Sequence, residues 1–161
     1  MEAEYTQPRS NGNSDEPCAA ARGATVVVVD DDSGVRQLYA TFLLRQGFSV
    51  IAVRTGREGL AKAKETDVQG IILDLALPDD TGYNLCRKFR RLETCKNAFI
   101  TMISGTYLLS EERAFAAGAD AILKKPFSTA DLARTLCRGI ADRQAGRLTK
   151  RELSRGSLSN W

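Results

Sequence analysis

Val26 to Val29 form an unbroken run of valine that stops at Asp30, Asp31 and Asp32. A continuous β-branched run this short suits a strand buried on both faces, the habit of parallel sheets. The acids cannot continue into such a core, so they mark the strand's exposed end. The same pattern returns at Gly70 to Leu73, which stops at Asp74. Parallel strands cannot be joined by hairpins; they need crossovers, usually helices.

The intervening segments supply those helices. Val35, Leu38, Tyr39, Phe42 and Leu43 recur at helical spacing as one apolar stripe, and Gly47 ends it. Phe48 to Val53 reads as a strand, and Thr55 with Glu58 as a capping box opening the next helix. Thr81 can cap a helix carrying Leu85, Phe89 and Leu92, and Ala98 to Ile103 reads as a further strand. Ser110 caps a short helix ended by Gly118, Ala121 to Leu123 forms the last strand, and Ser128 caps a helix with Leu132, Leu136 and Ile140 on one face. This alternation predicts an α/β fold, an open five-stranded parallel sheet with helices on both faces. Residues 1–24, rich in Ser, Asn, Gly, Pro and charge, are expected to be a disordered arm. Residues 25–143 then make one domain, and 144–161 a basic tail.

The sequence contains no histidine. Ser-His-Asp and Cys-His catalysis and His-ligated zinc are thereby excluded, and any phosphohistidine must belong to a partner. Cys18, Cys86, Cys95 and Cys137 form no C-x-x-C pair. They are expected to be reduced thiols, with Cys86 and Cys137 as small packing residues. No stretch approaches the ~18 apolar residues that span a bilayer, and the N-terminus lacks an apolar signal region, so a cytoplasmic location is expected. A net charge of +3 makes no case for nucleic acid.

Ligands of open α/β sheets bind in the crevice at the carboxyl ends of the strands. Asp30, Asp31, Asp74, Ser104 and Lys125 are the residues placed there. Three close carboxylates resist ionising together. A divalent cation resolves the conflict, and oxygen-only ligands select a hard one, Mg2+ or Mn2+. A carboxylate beside such an ion can attack a phosphoryl group and form an aspartyl phosphate. The transferring oxygens then need further donors, and Lys125 and Ser104 are of the right types.

VVVVDDDSGVR, IILDLALPDDTG, FITMISGT and GADAILKKPF resemble, in order, the signatures of the receiver domain of bacterial two-component response regulators. The resemblance runs over roughly residues 25 to 140. It implies a flavodoxin-like sheet of order 2-1-3-4-5, with Asp74 as phosphoacceptor. It implies Mg2+ held directly by Asp31, through water by Asp30, and by Asp74 and the backbone carbonyl of Ala76. Ser104 would bond the phosphoryl oxygen, Lys125 would pair with it, and the Lys125–Pro126 bond would be cis. The implied partners are a sensor histidine kinase or histidine phosphotransfer protein, and an output protein of unknown identity. The surface of the fourth helix, fifth strand and fifth helix would switch on phosphorylation.

Two positions depart from the family. Ile122 stands where receivers carry a switch aromatic, so the switch is expected to work by smaller backbone shifts. Ala76 and Thr106 flank the expected path of the hydrolytic water, and Ala cannot orient it, which predicts a long-lived phosphoryl group. Asp32 is expected to start a helix rather than bind metal. Lys124 should point away from the crevice. Tyr107, Leu108 and Leu109 form an apolar patch suited to local packing or a partner. The residues after Ile140 are too few for an output domain, which suggests a stand-alone receiver. The alternatives are a phosphorelay intermediate and a fragment of a longer regulator, whose output domain Leu148 to Glu152 would faintly open. A non-phosphorylated adaptor, and a haloacid-dehalogenase-type phosphatase using Asp30 and Asp32, are more distant. The phosphatase reading lacks the acid pair expected after the lysine and has Gly34 where that family keeps Thr or Val.

Overall fold

Val26 to Val29 are fully buried, because the sheet they join carries a layer of helices on each face. The computed structural model describes residues 18–105 and 109–147. Its elements alternate: β1 Thr25–Val29, α1 Ser33–Arg45, β2 Ser49–Val53, α2 Gly56–Lys64, β3 Gly70–Asp74, α3 Gly82–Arg90, β4 Phe99–Ser104, α4 Glu111–Ala117, β5 Ala121–Lys124 and α5 Thr129–Gln144. The sheet is parallel throughout with strand order β2-β1-β3-β4-β5, as expected.

Strand alternation divides the interior. Val27, Val29, Ile71, Leu73, Ile100 and Met102 pack against α2, α3 and α4, with Phe89 fully buried among them. Val26, Val28, Ile72, Phe99 and Ile103 pack against α1 and α5, chiefly Leu43, Leu132, Leu136 and Ile140. The stripe expected on α1 is narrower than its spacing implied. Leu38 is 55% exposed, while Tyr39 and Leu43 carry the burial.

Side chains set the helix starts. Asp32, Thr55, Thr81, Ser110 and Ser128 each accept a backbone N–H three residues on, which stabilises an N-terminus by about 1 kcal/mol. The expected box at Thr55 is only half formed. Glu58 reaches back to the Arg54 N–H, not to that of Thr55. The reciprocal box lies at Ser128 and Asp131. Gly118 ends α4 at φ +106°, a left-handed conformation that favours glycine.

Two sequence expectations change. Order begins upstream of Thr25: Ala19–Ala21 form a 3-10 turn against α5, with Ala21 fully buried. Residues 1–17 of the expected arm lie outside the described residues. Cys18 and Cys137 are not reduced thiols but a bonded pair, because that turn brings Cys18 onto α5. Cys86 is the buried packing residue expected.

At the N-terminal end of the sheet, Asp120 is fully buried between two arginines. Its carboxylate accepts from the Ile100 N–H at 2.8 Å, from Arg90 at 2.7 Å, and from Arg143. Arg90 also donates to the carbonyls of Gly118 and Ala98. One acid thus ties the ends of α3 and α5 to β4 and β5.

Candidate functional site

The register sets the site. Val29 lies beside Leu73, Asp74 beside Ile103, and Ser104 beside Lys124, so the strands end together at one edge. The chain turns out of β1 at Asp30, which is 2% exposed. The Asp30 carboxylate accepts the Asp32 N–H at 2.9 Å, and Arg36 donates to the Asp30 carbonyl at 2.8 Å. This turn leaves Asp31 exposed, facing the crevice mouth. Asp32 caps α1 through the Val35 N–H, the helix-start role expected of it.

Asp74 closes β3. Its carboxylate accepts the Ala76 N–H at 3.2 Å, and Lys125 Nζ lies 3.9 Å from its second oxygen. One carboxylate oxygen from each of Asp30, Asp31 and Asp74 lies within 4.8 Å of the others. Burial raises the Asp30 and Asp74 carboxyls above the ordinary aspartate range. Crowded acid, reluctant to ionise and built of oxygen alone, fits a hard divalent cation. Asp30, Asp31 and Asp74 could hold one.

Ser104, the last residue of β4, is 2% exposed, and its carbonyl accepts the Lys125 N–H at 2.9 Å. The Lys125–Pro126 peptide is cis, as the resemblance implied. The Lys125 stem passes close over Gly105. Lys124 points away and pairs with Glu111 at 2.5 Å. Ile122 is half-buried beside Met102, packed on the layer under α2, α3 and α4. Leu109 packs on the same layer, while Thr106, Tyr107 and Leu108 lie outside the described residues.

Other residues shape the crevice without having been legible beforehand. Asp79 accepts the N–H groups of Gly56 and Arg57 at 3.0 and 2.9 Å, fastening the loop after Asp74 to the start of α2. Within that loop Ala76 bridges Thr81, and the Gly82 N–H donates to the Leu75 carbonyl at 2.8 Å. A Cβ on Gly82 would stand 2.7 Å from the Asp74 carbonyl, so only glycine admits this close approach. Tyr39 stacks on Phe127 with centroids 6.0 Å apart, joining α1 to the segment after Lys125. Burial, aided by Asp30 and Asp74, pushes its phenol up to about 12. Asp79 and Gly56 are 23 residues apart, and local patterning carries no signal for such a pairing.

Known proteins share this fold. The family model of the response regulator receiver domain matches residues 26–136. The transcriptional regulatory protein GltR of Pseudomonas aeruginosa is 35% identical over 117 residues, 70% of this chain and 47% of GltR. The cell cycle transcriptional regulator CtrA of Caulobacter vibrioides is 35% identical over 103 residues, 63% of this chain and 44% of CtrA. The chain thus spans under half the length of these relatives. Among solved structures, the chemotaxis response regulator CheY4 of Vibrio cholerae is similar with a TM-score of 0.67 at 32% identity, covering 73% of this chain and 98% of that one. The receiver domain of a sensor histidine kinase from Pseudomonas aeruginosa is similar with a TM-score of 0.67 at 28% identity, covering 74% of this chain and 98% of that one. That structure holds a magnesium ion coordinated in its active site cleft. The family match runs from the start of β1 into α5 and so takes in every strand that lends a residue to the crevice; the chain belongs to the response regulator receiver domain family.

Proposed function

We propose that Asp74 accepts a phosphoryl group from a partner's phosphohistidine, and that this modification switches a protein-binding surface on α4, β5 and α5. One observation carries the reading. An aspartate at a strand end lies 3.9 Å from a lysine and within 4.8 Å of two further acids, in a chain with no histidine. A carboxylate oxygen of Asp74 attacks phosphorus as the partner's P–N bond breaks, and the imidazole leaves with a proton. Lys125 neutralises charge on the transferring oxygens, and the Ser104 hydroxyl bonds one of them.

Asp30, Asp31, Asp74 and the Ala76 carbonyl would hold Mg2+, or Mn2+ in its place. When bound, the ion supplies charge neutralisation at the phosphoryl oxygens and relieves the repulsion among the acids. Ser104 and Ile122 form the switch. Ile122 has no ring to swing, so the surface responds by backbone displacement as Ser104 closes on the phosphoryl group. In this reading residues 25–143 are the receiver unit and 144–161 a tail, and the chain works in the cytoplasm beside its kinase or phosphotransfer partner. It acts as a signalling receiver whose only chemistry is on itself.

Incubation with Mg2+ and acetyl phosphate, followed by intact mass, tests the reading. Gain of one phosphoryl group, dependent on metal and lost in Asp74→Asn, is expected. Labelling that survives in Asp74→Asn but vanishes in Asp30→Asn would overturn it in favour of a phosphatase-type nucleophile.

A further inference from the structure

The cysteines divide into two kinds. Cys86 and Cys95 are buried free thiols in the layer under α2, α3 and α4. Burial raises both, Cys86 to about 12, which keeps thiolate scarce and the two inert. Cys18 and Cys137 are half-buried at the rim of the opposite layer, bonded, with Cα atoms 6.1 Å apart. That separation lies in the ordinary disulfide range. One cysteine precedes the first strand and the other lies in the last helix, 119 residues later.

Among the described residues, the segment this bond fastens is otherwise held by small side chains and a few backbone bonds. Among the described side chains between Cys18 and β1, those buried are Ala21 and Ala24, and alanine buries little apolar area. The Ala21 N–H donates to the Cys18 carbonyl at 2.9 Å and the Ala24 N–H to the Ala21 carbonyl at 3.1 Å, both within the segment. The Gly23 N–H donates to the Gly47 carbonyl at 3.2 Å and the Ala24 carbonyl accepts the Ser49 N–H at 2.9 Å, so residues 23 and 24 are tied to the chain entering β2, while residues 18–22 make no such bond among those described. The segment leans on α5 at the end remote from the acids, since the chain enters β1 at the edge opposite Asp30.

We propose that Cys18 and Cys137 form a redox modification site: a low-molecular-weight disulfide oxidises the pair and straps residues 18–22 onto α5, and thiol reduction releases them. One thiolate attacks a sulfur of the small disulfide RSSR, forming a mixed disulfide and expelling RS−. The second thiolate attacks the protein sulfur of that adduct, forming the Cys18–Cys137 bond and expelling the second RS−. The two cysteine protons end on two RSH; the protein loses two electrons and RSSR gains them. Release uncovers the α5 surface around Cys137 and leaves the crevice unaltered. The proposal is independent of the phosphoacceptor reading.

The test treats the full chain with oxidised glutathione or with dithiothreitol, then counts alkylatable thiols by intact mass, maps linked peptides, and follows amide exchange. Oxidation should remove two alkylatable thiols and yield a Cys18–Cys137 linked peptide. Reduction should speed exchange at Ala21, Gly23 and Ala24 at least ~tenfold, while the buried Ile100 amide is unchanged. Cys137→Ser should show the fast rates under both conditions. Glutathione adducts without the link, equal exchange at the three amides in both states, or faster exchange at Ile100 as well would each overturn the strap.

Discussion

Asp30→Asn should make the metal-free protein more stable, and should abolish most of the stabilisation that Mg2+ confers. Asp30 is 2% exposed, and its carboxylate lies within 4.8 Å of that of Asp74. At an effective dielectric of about 20, two charges 4.8 Å apart repel by about 3.5 kcal/mol. Attraction to Lys125 returns part of this, leaving a net gain of about 1–3 kcal/mol for the neutral amide. The Asn oxygen still accepts the Asp32 N–H, so the turn is kept. The sign with pH follows. Burial raises the folded Asp30 and Asp74 carboxyls, so the native state holds protons that the unfolded chain has released. Their contribution is least unfavourable below the ordinary aspartate value of 3.8, and stability falls as pH rises through the raised folded values. Asp30→Asn should flatten that fall. Mg2+ at a hundred times its Kd should stabilise the wild type by about 2.7 kcal/mol, and the variant far less. Urea unfolding at neutral pH, in EDTA and in Mg2+, reads both effects. A variant no more stable than wild type in EDTA, or equal Mg2+ stabilisation of the two, would refute the reasoning.

Other outcomes follow from single contacts. Asp120→Asn should cost about 3–5 kcal/mol in urea unfolding, because it leaves the largely buried Arg143 without its carboxylate and weakens the hold on Arg90. Gly82→Ala should cost about 1–3 kcal/mol, since the added Cβ meets the Asp74 carbonyl at 2.7 Å, and should slow labelling by acetyl phosphate. Ala76→Asn should shorten the life of the phosphoryl group by about tenfold or more, followed as loss of the added mass; an unchanged rate would remove Ala76 from the hydrolytic path.

Much of the fold was legible because its signals are local. Each strand is a short apolar run, and each helix opens on a side chain that names its own cap. The acids at the site were legible for the same reason: Asp30 and Asp74 interrupt apolar runs, and a parallel sheet brings such interruptions to one edge. What escaped depends on distance in the chain. Asp120 sits in a turn before β5, and no local pattern marks the two arginines from α3 and α5 that close over it. Asp79 follows Pro78 with nothing nearby in sequence to name its partners, which are the first amides of α2. Cys18 lies in a stretch whose composition argues for disorder, and only its partner in α5 shows otherwise. Leu38 erred in the other direction, since periodicity assigns it to a stripe without showing how wide the groove beneath it is.

The sheet also partitions how this chain can tolerate change. Successive residues of β1 belong to different interiors: Val26 and Val28 answer to α1 and α5, Val27 and Val29 to α2, α3 and α4. Core substitutions that share no neighbours combine additively, whereas those in contact do not. Epistasis in this protein should therefore fall into two blocs that interleave along each central strand, so that Val28 is coupled more strongly to Leu136 than to Phe89 across the sheet. Drift in one bloc can proceed while the other stays fixed. The helices flanking β5 are split the same way, α4 with one bloc and α5 with the other, leaving the two free to diverge at different rates.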